Sequence, residues 1–386
     1  MRIDTSEVTY EGYEMGPIRP PSEAASLLLR VTRNCPWNQC RFCTLYKGQR
    51  FSIRQKEHIF RDIDTIREFV NVFQQTADDP ELKRSRLGVL KVQMNENHQK
   101  AYQVAINWYR SGMKSVFLQD ANCLIMKPAD LAEVLRYVRS CFPHIERITS
   151  YARSHTVARI RDEDLQELAA AGLNRIHIGM ETACNEVLGR VRKGADKDIH
   201  IAAGQKIKRT TMELSEYYMP GLGGTTFPRE SAHETADATN RINPAYIRIR
   251  TLAIPGHSGL HEDYQAGVFV RSNDVQMVQE LYWFIENLHQ ITSTVKSDHI
   301  LNLLPEVEGE LPKDKNRMLE VLGWFLALQA EEQMIFRVGR RTGVMTLRED
   351  LENESRRNRV HQMIREAEIT AENIDQFTDS LIQRFI

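Results

Sequence analysis

Apolar residues along this chain fall into short runs, separated by longer stretches in which they recur every three or four positions. The runs at Leu27–Thr32, Ser115–Leu118, Arg147–Ser150, Asn174–Gly179, Glu213–Met219 and Tyr246–Ile254 predict strands. The stretches His58–Gln75, His98–Ser111, Ala129–Cys141, Asp162–Ala171 and Ala195–Arg209 predict amphipathic helices. Pro128 opens one helix, Gly112 and Gly172 follow others, and Pro143 stops another. Strands alternating with helices imply parallel βαβ units with right-handed crossovers. Eight strands would be needed for closure. Six predict an α/β fold, a partial (β/α)6 TIM-like barrel over residues 25–273. Residues 44–114 are too long for one crossover and are expected to insert at least two helices. Residues 274–386 carry helical patterns only, at Asp274–Ile291, Lys313–Ala330, Glu354–Ala367 and Ala371–Phe385, which predicts a C-terminal helical segment. Residues 1–24 read as an extended polar arm ending in Gly16-Pro17-Ile18-Arg19-Pro20-Pro21.

Composition narrows the function classes. Of 386 residues, 51 are Lys or Arg and 52 Asp or Glu, a formal charge of −1. That balance gives no bulk support for binding nucleic acid or an anionic membrane. The longest strongly apolar run, Val321–Leu328, is far short of the roughly 20 residues that span a bilayer, and Trp324-Phe325 within it reads as core. Met1-Arg2-Ile3-Asp4 lacks the basic-then-apolar pattern of a signal peptide, so a cytoplasmic protein is expected. Six cysteines make no disulfide framework, and three of them fall between Cys35 and Cys43. Cys123, Cys141 and Cys184 stand alone and read as small buried hydrophobes.

The segment Cys35-Pro36-Trp37-Asn38-Gln39-Cys40-Arg41-Phe42-Cys43 directly follows the first strand. Thiolates favour zinc, Cu(I) or iron–sulfur clusters. A structural zinc needs four closed ligands, and no second Cys/His pair follows at zinc-finger spacing. The C-x4-C-x2-C spacing is that of plant-type [2Fe–2S] ferredoxins, but the fourth ligand would be Cys123, in a different βα unit. A [4Fe–4S] cluster with three protein ligands leaves one iron open, and an open position is what binds substrate or cofactor. The loop also sits at a strand's C-terminal end, where barrel active sites form.

This loop resembles that of the radical S-adenosylmethionine (radical SAM) superfamily, whose usual signature is C-x3-C-x2-C with an aromatic residue before the last Cys. Phe42 occupies that place, with one extra residue between Cys35 and Cys40. The resemblance covers about residues 25–260 and points to the branch of the coproporphyrinogen oxidases and the Elongator catalytic subunit. It implies Cys35, Cys40 and Cys43 as cluster ligands and a [4Fe–4S] cluster and S-adenosylmethionine as cofactors.

The resemblance also assigns the other strand ends. Asp120 and Asn122, in Gln119-Asp120-Ala121-Asn122, would hold the cofactor's amino group. Ser150 and Arg153 would lie near its ribose and carboxylate. Glu181 would bind ribose hydroxyls, and Lys193, or else Arg190 or Arg192, the carboxylate. Gly221, in Met219-Pro220-Gly221-Leu222-Gly223-Gly224, would lie on the adenine side. Each position also has a plain structural reading: a turn, a surface Arg or a solvated helix face. Arg248 and Arg250 share a face and would line a substrate cavity or pair with a carboxylate, and Gly339-Arg340-Arg341-Thr342-Gly343 would bind an anionic substrate group or form an exposed basic turn. The function implied is reductive cleavage of S-adenosylmethionine to a 5′-deoxyadenosyl radical that abstracts hydrogen. The electron donor would resemble flavodoxin or ferredoxin, and the substrate, small or macromolecular, is not legible. The competing class is a non-enzymatic binder of cluster and cofactor, serving redox sensing or delivery of haem or a cluster.

Overall fold

The computed structural model describes residues 9–79, 81–82, 84–86, 88 and 95–385. The first eight residues of the expected arm and part of the 44–114 insertion lie outside the described residues. The chain divides into two compact units, Met1–Asn38 with Leu45–Ile178 and Lys206–Leu214, and Gln39–Thr44 with Gly179–Gln205 and Ser215–Ile386.

In the first unit, β1 (Leu27–Arg30) leads into β2 (Thr32–Arg33), which pairs antiparallel with β3 (Ser52–Ile53). Then come α1 (Lys56–Gln75), α2 (Glu96–Arg110), β4 (Ser115–Gln119), α3 (Pro128–Cys141), β5 (Arg147–Ala152), α4 (Ser154–Val157), α5 (Asp162–Ala170) and β6 (Arg175–Glu181). Strand β4 pairs in parallel with β1 and β5, and β5 with β6. Every position of β4 is buried, as expected of a parallel strand covered on both faces. Helix α1 turns Ile59, Ile63, Ile66, Val70 and Phe73 inward, a stripe at helical spacing. Tyr102 of α2 packs edge-on against Phe69 and Phe73, so among the described residues the insertion holds at least the two helices expected of its length. The arm is more than a lead-in. It closes in a 3-10 turn at Pro21–Glu23, and fully buried Glu23 bonds to Ser26 and Arg147.

The second unit takes up the chain at Gly179, within β6. It continues through α6 (Asn185–Arg190), most of α7 (Lys197–Lys208) and, from Ser215, β7 (Glu213–Tyr218). There follow α8 (Pro228–Ile242), β8 (Tyr246–Ile249), α9 (Gly259–Gln265), α10 (Asp274–Glu286), β9 (Thr294–Lys296) and β10 (Gly309–Glu310). Four helices end the chain: α11 (Lys315–Ala327), α12 (Ala330–Thr342), α13 (Glu354–Glu366) and α14 (Ile374–Ile382). Strands β7, β8 and β9 are parallel, and β10 runs antiparallel to β9. One core joins Tyr218, Ile247, Ile249 and Val295 to Phe284, Met318, Phe325 and Phe336, with Trp324 packed against it.

All six expected strands are present, and the fold is α/β and mostly parallel. Two expectations need correction. Residues 274–386 are not purely helical, because they contain β9 and β10; strands of three and two residues leave no readable alternation. Residues 339–342 are no exposed turn but the last turn of α12, which ends at left-handed Gly343. There Arg340 donates to the carbonyls of Asn302 and Leu303, and Arg341 to that of Leu301 and to Asp274. Of the two readings of Arg248 and Arg250, pairing with a carboxylate holds for Arg248, which is buried against Asp298 at 2.5 Å, whereas Arg250 lies past the end of β8 and is exposed. Among the described residues no helix is long and apolar enough to cross a membrane.

Candidate functional site

The cysteine loop belongs partly to each unit, with Cys35 in the first and Cys40 and Cys43 in the second. All three are half-buried, and none is in a disulfide. In the first unit, left-handed Asn34 (φ 67°) and Asn38 (φ 48°) bracket Cys35, and asparagine tolerates this conformation better than most residues. Their side chains donate to the carbonyls of Arg50 and Tyr46, which ties the loop to the segment after it. The Asn38 amide approaches Cys35 Sγ at 3.4 Å.

Asp120, beyond the end of β4, is completely buried. Its Oδ2 accepts from Arg30 Nε at 2.9 Å and from the Asn34 amide at 3.1 Å, so this carboxylate pins the residue just before Cys35. Its Oδ1 is buried with no hydrogen-bond partner. A Cβ on Gly16 would come within 1.9 Å of that oxygen, so only glycine fits beside it. Burial raises the Asp120 pKa, and the Arg30 charge opposes the rise. Asn122 is engaged at both ends, accepting from the Arg153 amide at 3.1 Å and donating to Thr156 Oγ1 at 2.8 Å. The Arg153 guanidinium lies over the Trp37 ring at 5.2 Å, and Ser150 Oγ donates to the Tyr151 carbonyl.

In the second unit, the Cys43 amide bonds to the Cys40 carbonyl at 3.3 Å, closing a turn around Arg41 and Phe42. Arg41 clamps that turn: its guanidinium forks onto Asp263 at 2.6 and 2.7 Å and reaches the Gly259 carbonyl at 2.7 Å. Such bidentate pairs fix orientation as well as position. Phe42 packs on the cluster of Cys184, Val187, Val191, Met219 and Leu222, with Lys193 Nζ 5.5 Å from its ring centre. Lys193 pairs with Glu181 at 3.1 Å. Glu181 ends β6 in the left-handed region (φ 67°), a strained conformation of the kind that collects at functional sites. Its Oε2 is buried without a partner. Of the alternatives to Lys193, Arg190 covers Phe227 instead, at 4.5 Å, and Arg192 is exposed.

Three residues of these surroundings escaped the sequence reading. Arg41 looked like a spacer. Glu216 on β7 is buried, and neither carboxylate oxygen has a partner of good geometry. Burial raises its pKa well above the usual range, and Glu181 adds to the rise. Glu280 of α10 accepts from the Gly221 amide and the Tyr218 hydroxyl, both at 2.9 Å, and so holds the glycine turn after β7. No local signal marks a glutamate on an amphipathic helix as buried.

The donor set fits an iron–sulfur cluster with S-adenosylmethionine. Three half-buried thiols outside any disulfide supply soft ligands, and the orphan oxygens of Asp120 and Glu181 can accept from an ammonium group and from ribose hydroxyls. Among the described residues no three Cys, His, Asp or Glu side chains converge on a single metal ion; a cluster asks instead for one thiolate on each of its irons. The sequence model of the radical SAM superfamily matches residues 29–237, more than half of the chain. The chain belongs to the radical SAM superfamily. Members of this superfamily are enzymes that use a [4Fe–4S] cluster and S-adenosylmethionine. No match to a curated protein sequence reaches significance. Solved structures similar to this radical SAM chain include Elp3 of the archaeon Methanocaldococcus infernus, at 13% identity and TM-score 0.41, covering 52% of each chain. Coproporphyrinogen III oxidase (HemN) of Escherichia coli is similar at 14% identity and TM-score 0.44, covering 68% of this chain and 52% of that one. Methylornithine synthase (PylB) is similar at 14% and 0.42, covering 77% and 81%. The match thus spans about half the length of Elp3 and of HemN.

Proposed function

We propose that this chain is a cytoplasmic radical SAM enzyme whose cluster is held by Cys35, Cys40 and Cys43. The observation that carries the reading is the anchoring of the loop's two ends, by Asp120 through Asn34 and by Asp263 through Arg41. A loop fixed at both ends presents its thiols without a large ordering cost on binding. When bound, the cluster supplies the electron that cleaves S-adenosylmethionine reductively, giving a 5′-deoxyadenosyl radical that abstracts hydrogen from the substrate. Asp120 Oδ1 accepts from the cofactor's amino group, with Asn122 beside it. Glu181 Oε2 accepts from ribose hydroxyls, while Lys193, already oriented by Glu181, holds the carboxylate. Ser150 and Arg153 flank the ribose and carboxylate, Phe42 shields the cofactor from water, and the Gly221 turn borders the adenine. A flavodoxin- or ferredoxin-like protein delivers the electron.

The test measures iron and cofactor affinity separately after anaerobic reconstitution. Cys35→Ala, Cys40→Ala and Cys43→Ala should each lose the cluster. Glu181→Gln and Lys193→Met should keep iron but bind S-adenosylmethionine about 10- to 100-fold more weakly, the value of one hydrogen bond to a charged group. Unchanged affinity in both variants would overturn the assignment of these two residues.

A further inference from the structure

Within the second unit, β8 and β9 lie side by side with Arg248 opposite Lys296. Like charges directly across a strand pair repel, and each cation here has its own carboxylate. Arg248 pairs with Asp298 at 2.5 Å and Lys296 with Glu308 at 3.1 Å. Two residues further on stands Arg250. Its backbone amide is held by the Tyr218 carbonyl at 2.9 Å, yet its exposed guanidinium has no carboxylate partner among the described residues. The same register carries Arg250 level with the turn after β9, where His299 follows Asp298. His299 is half-buried, and its Nδ1 accepts from the Leu301 amide at 3.4 Å, which leaves the proton of the neutral ring on Nε2. Burial, and then the Arg250 charge, lower its pKa to about 4 against the opposing pull of Asp298, so the ring is neutral near pH 7.

The two turns are tied together. Buried Asn302 accepts from the Thr251 amide and hydroxyl at 3.0 and 2.9 Å. Its Nδ2 donates to the Ile249 carbonyl at 2.8 Å and to Ser297 Oγ at 3.0 Å. One side chain therefore locks the chain after β8 to the chain after β9. An uncompensated guanidinium and a neutral N–H donor stand on a prearranged frame at C-terminal strand ends. A backbone held in advance lowers the ordering cost of binding an anion, and a guanidinium fork suits carboxylate and phosphate oxygens alike.

From this geometry we infer that Arg250 and His299 form an oxyanion-binding site, and that the substrate of this enzyme carries a carboxylate or phosphate group that docks there. The second half of that statement rests on the radical SAM reading; the anion site itself does not. The test follows the His299 ring by NMR in the full-length protein, with His299→Gln to assign the signal. Inorganic phosphate and acetate are titrated separately, with ionic strength held constant by chloride. An anion seated between the two groups should raise the His299 pKa by about 1–3 units. Arg250→Gln should raise it without any anion and abolish the response. A shift confined to acetate assigns a carboxylate, and one confined to phosphate a phosphate ester. Absence of a shift with either anion, or an equal shift in Arg250→Gln, would overturn the site. Loss of cofactor cleavage with the shift intact would refute the enzyme reading and leave the anion site standing.

Discussion

Replacing Glu280 by glutamine should remove the pH dependence that this residue imposes on stability. Its carboxyl is fully buried, and burial raises its pKa from 4.5 to about 8, against the opposing bonds from Gly221 and Tyr218. The unfolded chain releases this proton from about pH 4.5 upward, while the folded chain keeps it until about pH 8. The folded state therefore binds more protons across that window, and stability must fall as pH rises through it. At 1.36 kcal/mol per pKa unit, the loss between pH 5 and pH 8 comes to about 3–4 kcal/mol. The amide of Glu280→Gln keeps an acceptor for the Gly221 N–H and a donor for the Tyr218 oxygen but carries no titratable proton. Urea unfolding of both proteins at pH 5 and pH 8 tests this. The two should agree within about 1 kcal/mol at pH 5, and the variant should be the more stable by about 3–4 kcal/mol at pH 8. Parallel pH profiles would refute the reasoning, because they would mean that Glu280 ionises freely in the folded protein.

Asp120→Ala should cost about 1–3 kcal/mol, because Arg30 loses its shortest ion pair and keeps the longer one to Glu14 at 3.6 Å, and it should also lower iron content, since Asp120 holds Asn34; urea unfolding and iron analysis check the two effects. Gly16→Ala places a methyl 1.9 Å from Asp120 Oδ1 and should destabilise by about 1–3 kcal/mol, read as a lowered urea midpoint. Asp274 is pushed up by burial but held at about 2 by Arg341 and Arg337. Its folded pKa lies below the unfolded one, so its stabilisation of about 2 kcal/mol is present above pH 4 and disappears as pH falls toward 2; Asp274→Asn should flatten that acid limb. Iron should stay at about four per chain when Cys123, Cys141 and Cys184 are all replaced by Ser; a count near eight that falls in this variant would require a second cluster.

The strands and the cysteine loop were legible because both are local signals. Buried parallel strands read as apolar runs between helical patterns, and three thiols within one short loop leave few chemical readings. What stayed hidden depends on contacts between residues far apart in sequence. Arg41 looks like a spacer until Asp263 meets it, and Glu280 looks solvated until Gly221 and Tyr218 close on it. Asn302 gives no sign in sequence that it ties two strand ends together. The two arginines read as an exposed turn belong to a helix that runs on to left-handed Gly343, and the close packing of Gly339 on Met345, where a Cβ would come within 2.6 Å of its sulfur, joins residues that no local pattern links. Strand-end polarity was legible only as a set: Asp120 and Glu181 keep an orphan oxygen each, whereas both ends of Asn122 are already engaged.

The central claim is that Cys35, Cys40 and Cys43 carry a cluster able to cleave S-adenosylmethionine. The most direct measurement is the formation of 5′-deoxyadenosine by anaerobically reconstituted, dithionite-reduced protein, compared with a variant in which all three cysteines are alanine. The account predicts 5′-deoxyadenosine from the first protein and none from the second. Equal formation by both, or stoichiometric zinc in place of iron after strictly anaerobic preparation, would contradict it.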